Sequence, residues 1–569
     1  MGLPSEVQPA FDDRPIENHT FKSALEHRAD VFGDDPYLIY GHDDRQVSYA
    51  ELDAVSNAIG NTLAQIGVEK GDNVSVMFRN PLQTAFAIYG INKIGAVYSP
   101  INFDYKGDIL TYQINDSAPS VLLVEDQYIE RINMVADELN TVDHLVVYKT
   151  DDGGVPVDDH FECSTFSAAK DGNTGETEVT IDWSDPASIM YTSGTTGQPK
   201  GCVLPYRWIF GNYSLFRSAT IDRGDTIHYS LPLYHVSATY NGLAPALIAG
   251  TSVVLWDQFS TSEFWERIER YEATTTTLIS VMQSWLMSQP EEPDDHRNSL
   301  NKVQMAPLPE NHVEMCERFG FDLLTGQYGQ TECGNPVTGV ISPDNADRQT
   351  PDEVRRGMNP DEAVRVAKAL DVPVYEEAPG ERFIGTSMPL IKATVLDEND
   401  EELPPGEVGE FAVRPQRPGV IMSEYYRAPD KTVKAWSNLW WHTGDAVFRD
   451  EDHNFYFVDR IGDVIRRRGE NVSSMQIQNS INDHPAVTET AVFPVPADEG
   501  GEDDIAAIVQ HVDGAAVTDA DLYEHIEPKL PEFMHPQYIE VVADLPTTET
   551  NKVEKYKLRQ QFIDGELNS

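Results

Sequence analysis

Residues 191–201 read Tyr-Thr-Ser-Gly-Thr-Thr-Gly-Gln-Pro-Lys-Gly: hydroxyls at Thr192, Ser193, Thr195 and Thr196, glycines at Gly194, Gly197 and Gly201, and a cation at Lys200. Apolar pairs, Ile189-Met190 and Val203-Leu204, flank the stretch. A strand running into a loop of small residues gathers backbone N–H groups, hydroxyl donors and a positive charge, which is what a polyphosphate needs. The spacing is not that of a Walker A loop, because Gly194 to Lys200 runs G-x-x-G-x-x-K and glycine follows the lysine. An ordinary polar turn uses the same residue types, so the choice depends on what else the chain carries.

Three more clusters lie downstream. Tyr328-Gly-Gln-Thr-Glu332 offers an aromatic face for a purine, a hydroxyl donor in Thr331, and in Glu332 a carboxylate suited to Mg2+, which binds through one or two carboxylates plus phosphate oxygens. An exposed glutamate on a Tyr-Gly turn is the plain alternative. Trp441-His-Thr-Gly-Asp445 precedes Asp459-Arg460. A carboxylate and a guanidinium together accept from and donate to ribose hydroxyls; as a lone pair they are a surface salt bridge. Thr548-Glu-Thr-Asn-Lys552 is followed by Lys555-Tyr-Lys-Leu-Arg559, a lysine-bearing turn that by itself is only solvated.

The elements positioning these clusters alternate. Ser48 and Glu51 form a capping box for a helix whose Leu52, Val55, Ile59, Leu63 and Ile66 share a face. Strands are expected at 74–78, 96–100, 121–124 and 145–148, with a helix at 81–93. The polar stretch 151–185 reads as a surface excursion into the glycine-rich loop. Beyond it, 227–231 and 253–256 read as strands, and Ser260 to Glu263 as the cap of a helix bearing Phe264, Trp265, Ile268 and Tyr271. Residues 344–382 form an acidic excursion with one helix after Asn359-Pro360, its stripe being Ala363, Val366, Ala367 and Leu370. Strands at 391–396 and 409–413 suggest a small β unit, and short strands and helices from 460 a compact last domain. Alternation of this kind argues for α/β architecture with largely parallel sheets.

Composition sets the outer limits. A chain of 569 residues with 40% hydrophobic content can build several cores, yet its 94 acidic and 42 basic residues leave a net charge of −52. Acids are spread along the chain, as at Asp12-Asp13, Asp158-Asp159, Glu291-Glu292 and Asp503-Asp504. Such a surface repels nucleic-acid backbones and anionic membranes, and it repels itself unless salt screens it. A halophilic, high-salt cytoplasm is the expectation. Cys163, Cys202, Cys316 and Cys333 are too scattered for a disulfide framework or a zinc site. The beginning of the chain resembles neither a signal peptide nor a myristoylation site, and no apolar run reaches spanning length, so a cytoplasmic protein without stable membrane insertion is expected.

In order and spacing the four clusters resemble the adenylate-forming superfamily of acyl-CoA synthetases, luciferases and peptide-synthetase adenylation domains, over roughly residues 20–560. Within it the chain is most similar to the crotonobetaine/carnitine-CoA ligase type, through Tyr105-Lys-Gly-Asp108, Gln258-Phe-Ser260 with Phe264-Trp265, and Arg468-Gly-Glu-Asn-Val-Ser473. The resemblance implies an α/β fold in which a large N-terminal domain of α/β subdomains plus a small β unit (1–459, insertion about 344–382) precedes a small mobile α+β C-terminal domain (460–569). It implies an ATP-dependent acid–thiol ligase: a small carboxylic acid and ATP give acyl-AMP and pyrophosphate, then CoA gives acyl-CoA and AMP as the C-terminal domain alternates between steps. The alternatives are an adenylating enzyme with a non-CoA acceptor and an inactive nucleotide-binding homologue. Oligomeric state is not readable.

The implied ATP site is Thr192, Ser193, Gly194, Thr195, Thr196, Gly197, Lys200, Ala306, Pro307, Gln327, Tyr328, Gly329, Thr331, Glu332, Asp445, Arg460 and Lys552, with Glu332 as the Mg2+ ligand. Lys552, Glu332, Thr192 and His235 are the implied catalytic group. His235, Val236, Tyr240 and Gly326, with Trp208 as a further candidate, line the acyl pocket, and Arg468, Gly469 and Glu470 face CoA. Some positions depart from the family pattern. Gly462 stands at the hinge where Asp or Lys is usual, Arg468-Gly469 replaces a glycine pair, Asn551 precedes the lysine in place of glycine, and 344–382 is inserted; it either covers the acyl site or decorates the surface.

The charge makes the first prediction. The melting temperature should rise from low to molar KCl as screening relieves self-repulsion; a maximum at low salt would contradict the halophilic reading.

Overall fold

The computed structural model describes residues 15–150, 153–192, 199–343, 349–467, 470–496, 503–512, 514–530, 532–547, 553–565 and 567, the side chains of 466, 470, 471 and 533 apart. Two compact units emerge: one holds Met1–Thr192, Pro199–Ala393 and Val413–Trp441, the other Thr394–Ala412 and His442–Ser569.

The first unit opens with β1 (Pro36–Tyr40), β2 (Arg45–Ser48), α1 (Tyr49–Gln65), β3 (Asn73–Met77), α2 (Pro81–Lys93), β4 (Val97–Pro100), β5 (Val121–Glu125), β6 (His144–Tyr148), β7 (Glu162–Thr165), β8 (Pro186–Thr192) and β9 (Lys200–Pro205). It continues through α3 (Leu215–Ala219), β10 (Thr226–Tyr229), α4 (Val236–Ala249), β11 (Ser252–Leu255), β12 (Thr275–Ile279), β13 (Lys302–Ala306), β14 (Leu323–Gln330), β15 (Gly334–Ile341), α5 (Pro360–Ala369), β16 (Val374–Tyr375), β17 (Phe383–Ser387) and β18 (Glu424–Tyr425). Ser48 caps α1 by accepting from the Glu51 N–H at 3.1 Å, and Asn80 caps α2, with Pro81 in its first turn.

One sheet is eight-stranded, in the order β18-β9-β8-β4-β3-β5-β6-β7. Its β3, β4 and β5 are buried throughout, and β5 accordingly reads as an unbroken Val-Leu-Leu-Val run. The other sheet in this unit runs β17-β15-β14-β13-β12-β10-β11-β1-β2. Strands β12, β13 and β14 are parallel in register, Ile279 beside Ala306 and Met305 beside Gly326, so their carboxyl ends lie together. That is the end at which open α/β sheets bind ligands.

Two local expectations need correction. Residues 151–185 are not purely a surface excursion: β7 extends the eight-stranded sheet beside β6, and Phe166, which begins the next helix, is fully buried. Ser260 to Glu263 do not cap by side chain; the helix Phe264–Arg270 starts after Glu263 with no side-chain cap bond.

The inserted segment is fastened at the amino ends of the parallel strands, and its Ala378 N–H also donates to His312 Nε2 at 3.3 Å. Helix α5 packs Ala363, Val366, Ala367 and Leu370 against Phe216, Leu323 and Val340, and β16 pairs with β15. Met358 and Arg356 are held at the amino ends of strands: Asp225 accepts from the Met358 N–H at 3.0 Å, Lys302 Nζ donates to Met358 O at 2.9 Å, and Asn301 donates to Arg356 O at 3.0 Å. Its apolar stripe is part of a core, so it is more than surface decoration.

The second unit contains the hairpin of β19 (Trp440–Arg449, from His442 onward) and β20 (Phe455–Arg460), then β21 (Val464–Arg467) and β22 (Glu470–Ser473), helix α6 (Ser474–Asn482), and a three-stranded sheet of β23 (Val487–Pro496), β24 (Asp503–His511) and β25 (Tyr538–Val542). Ile465, Ile477, Ile481, Val492, Ile505 and Leu522 share its core. The boundary expected after 459 does not follow the compact units. Asp445 and Arg460 face each other across one hairpin, which keeps both sides of that boundary together. Part of the small β unit, 394–412, also belongs here. Among the described residues, no helix is long and apolar enough to cross a membrane.

The Lys302–Asp225 pair, 2.8 Å apart with side chains 4% and 0% exposed, fastens the insertion. Lys302→Met strands a buried carboxylate and should cost about 3 kcal/mol, read as earlier protease cleavage within 349–382; unchanged cleavage would show that the apolar stripe alone holds it.

Candidate active site

The β8–β9 hairpin brackets the glycine-rich loop, with Thr192 opposite Lys200 and Tyr191 opposite Gly201. The loop residues Ser193, Gly194, Thr195, Thr196 and Gly197 lie outside the described residues. Two tyrosines brace its flanks: Tyr191 Oη donates to Asp116 at 2.6 Å and Tyr112 Oη to Pro199 O at 2.9 Å. Lys200 Nζ stands 5.1 Å from the centroid of the Tyr425 ring, and Tyr425 Oη donates to Glu332 Oε1 at 2.8 Å. A chain of contacts thus runs from the loop's lysine to the carboxylate expected to hold the metal. Burial, followed by the negative charge of Glu332, holds the Tyr425 phenol well above its usual range, so it remains a donor.

Glu332 sits with Thr331 on the turn between β14 and β15, and Asn212 fixes that turn. Asn212 Nδ2 donates to Cys333 O and to Val420 O, both at 2.7 Å, while its Oδ1 accepts from the Asn335 N–H at 3.1 Å. The Met422 N–H adds a bond to Glu332 O at 2.8 Å. Gly334 is needed here: its φ is +68°, and a Cβ would approach Asn212 Nδ2 to 2.3 Å. Gly329 is confined too, since a Cβ there would meet Asn335 Oδ1 at 2.4 Å. Asn212 and Tyr425 were not foreseen from sequence. A doubled tyrosine, Tyr425-Tyr426, was the one visible signal for the second.

Ala306, Pro307, Gly326, Gln327 and Tyr328 gather at the carboxyl ends of β13 and β14. Gln283 Nε2 donates to Pro307 O at 3.0 Å and to Leu278 O at 2.9 Å, tying the segment after β13 to β12. Tyr328 is buried. His235 precedes the first turn of α4, half-buried, its ring 4.4 Å from that of Tyr234. Val236 is half-buried as well. Tyr240, expected at the acyl pocket, packs its ring on Phe21 and Trp208 and donates to Ser188 Oγ at 2.7 Å, so it serves the core. Trp208 is wholly buried and stacked on Tyr213.

In the second unit Asp445 and Arg460 are directly opposed, with Nη1 to Oδ1 at 2.9 Å. Asp445 is 1% exposed and Arg460 50%, so this is not the surface salt bridge that the sequence left open. The carboxylate is aimed by its neighbours: Thr443 Oγ1 donates to Phe411 O at 2.6 Å and accepts from the Asp445 N–H at 3.1 Å. Gly444 has φ +73° and its N–H donates to Glu410 at 3.0 Å. Asp459 caps α6, accepting from the Ser474 N–H at 2.7 Å. Gly462 lies in open space without a left-handed φ, so an aspartate or lysine would fit there. Burial raises the Asp463 carboxyl above its usual range, opposed by the positive charge of Lys555. Lys552, Arg468 and Gly469 lie outside the described residues, as does the side chain of Glu470. Among the described residues no group of three or more His, Cys, Asp or Glu is placed to hold a metal, so Mg2+ fits Glu332 only with phosphate oxygens completing the set.

Comparison with known proteins agrees with this geometry. Residues 25–426 match the AMP-binding enzyme family and 476–552 the AMP-binding enzyme C-terminal domain. The crotonobetaine/carnitine–CoA ligases of Salmonella typhimurium (strain LT2) and Salmonella heidelberg (strain SL476) are each 31% identical over 542 residues, covering 93% of this chain and 97% of theirs. Similar folds occur in ATP-bound MatB from Rhodopseudomonas palustris (TM-score 0.74, 23% identity, 96% of this chain and 99% of that one). They also occur in the anthranilate CoA ligase AuaEII with anthranoyl-AMP (TM-score 0.78, 21% identity, 97% and 99%).

Tyr425→Phe keeps the ring beside Lys200 and removes the bond to Glu332. It should raise the KM for MgATP about fivefold, the worth of roughly 1 kcal/mol, without changing the melting temperature; an unchanged KM would separate Tyr425 from the site.

Proposed function

The chain belongs to the AMP-binding enzyme family, and we propose that this AMP-forming acyl-CoA ligase uses its site residues as follows. The observation that carries the reading is the Lys200–Tyr425–Glu332 chain, which joins the flank of the glycine-rich loop to the Glu332 turn.

In the first step an oxygen of the acid's carboxylate attacks the α-phosphorus of ATP, and the bond to pyrophosphate breaks. Two anions meet, so the work of the protein is positioning and charge compensation. The 192–200 loop and Lys200 hold the β- and γ-phosphates, Thr331 donates to phosphate oxygen, and Lys552 bridges the carboxylate and α-phosphate. Glu332 would hold Mg2+, which when bound supplies positive charge to the phosphates. Tyr328 stacks on adenine beside Ala306, Pro307 and Gln327, and Asp445 with Arg460 holds the ribose. In the second step the CoA thiolate attacks the acyl carbonyl and AMP leaves with the electron pair of the broken anhydride bond. His235 gates that access, and Arg468, Gly469 and Glu470 face CoA. Domain alternation between the steps, a halophilic cytoplasm and a carboxylic acid as the acyl donor complete the reading.

Half-reactions test it. Lys552→Ala should reduce acid-dependent ATP–pyrophosphate exchange by at least about a hundredfold, whereas Gly469→Trp should spare exchange and suppress thioester formation. Equal loss of both half-reactions in both variants would overturn the two-step assignment.

A further inference from the structure

Arg217, on α3, is 6% exposed and has no acidic partner among the described residues. Its Nη1 donates to Gln304 Oε1 at 2.7 Å and to Thr277 Oγ1. Its Nε and Nη2 are buried and find no hydrogen-bond partner among the described residues. Other buried cations are compensated differently: Lys93 contacts Glu26 at 2.8 Å and Asp53 at 2.7 Å, and Lys302 contacts Asp225 at 2.8 Å. Burial lowers the Arg217 guanidinium to about 10, which still leaves it charged at neutral pH. A buried, unpaired cation with two idle donors is costly unless an anion comes to it.

A cavity of about 30 Å³ adjoins Arg217, lined also by Tyr213, Gln304, Gln327, Asn335 and Thr338. That is room for roughly two waters, or for the two oxygens of a carboxylate. Polar side chains are already engaged around it: Thr277 Oγ1 donates to Gln304 Oε1 at 3.0 Å, and Gln304 Nε2 donates to Gln327 Oε1. One lining residue joins the cavity to the proposed acyl site: Thr338 Oγ1 donates to Gly326 O at 3.1 Å.

We propose that Arg217 marks the far end of the acyl pocket and receives a second anionic group on the substrate, so that the acid is a dicarboxylate or carries an equivalent terminal anion. The inference rests on the ligase reading and gives it a substrate class. Idle N–H donors at Nε and Nη2 match the paired oxygens of a carboxylate, and the low dielectric strengthens the pairing. A betaine is excluded by the same charge, since its quaternary ammonium would meet the guanidinium.

ATP–pyrophosphate exchange with four acids of equal length tests this: an alkyl monocarboxylate, the dicarboxylate, its monomethyl ester and the ω-trimethylammonium acid. Several chain lengths are assayed in molar KCl. At the best length, kcat/KM for the dicarboxylate should exceed that for the ester and the ammonium acid by about tenfold or more. Arg217→Met should bring the dicarboxylate-to-ester ratio to about one. The inference is overturned if the wild type prefers the alkyl or ammonium acid, or if the ratio survives in Arg217→Met. The wild-type series decides alone should that variant not fold. Exchange with alkyl acids lacking any dicarboxylate preference overturns the inference and leaves the ligase standing; no exchange with any acid overturns both.

Discussion

A carboxylate and a triphosphate repel each other, and here they must meet inside a protein that itself carries 94 acidic and 42 basic residues. The cations that the proposed function uses are handled in different ways. Lys200 is kept by an aromatic face: the Tyr425 ring takes the side toward Glu332, and the phenol satisfies that carboxylate instead. Arg460 pairs with Asp445, but the acid is buried and the guanidinium half exposed, which leaves donors facing outward. Arg217 is held by neutral amide and hydroxyl acceptors, Gln304 and Thr277. Lys200 and Arg217 thus meet aromatic or neutral groups, whereas Arg460 keeps an ion pair with half its surface open.

Asn212 shows how much of this depends on one buried amide. One amide ties Cys333, Val420 and Asn335 together, and thereby sets the turn that carries Thr331 and Glu332. Its own position comes from the π-helical turn Trp208–Tyr213, and from Gly334, whose lack of a Cβ admits it. The inserted segment works at the other end of the same strands. It is joined to Asp225, Asn301 and Lys302, at the amino ends of strands whose carboxyl ends carry the expected site residues Ala306 and Tyr328.

Much of the framework was legible in the sequence. The alternation of strands and helices through 148 came from local signals that the fold retains: Ser48 as a cap, and short apolar stretches such as Val121–Val124 for buried strands. Asp445 and Arg460 were legible because fifteen residues of hairpin bring them face to face. What escaped was set by long-range packing. Tyr425 meets Glu332 across 93 positions, and Asn212 meets Cys333 across 121, so no local pattern announces either bond. Residues 162–170 were masked by polar surroundings, although β7 gains its place from pairing with β6. Tyr240 carried an expected pocket role but packs into the core, because helical position does not tell a lining face from a packed one.

The proposed function comes down to one bond, from a carboxylate oxygen to the α-phosphorus of ATP. Isotope exchange between pyrophosphate and ATP, measured with and without added carboxylic acid at molar KCl, reads that bond directly. Exchange should require the acid and need no CoA. Exchange absent with every acid class, while the folded protein still binds ATP, would contradict it.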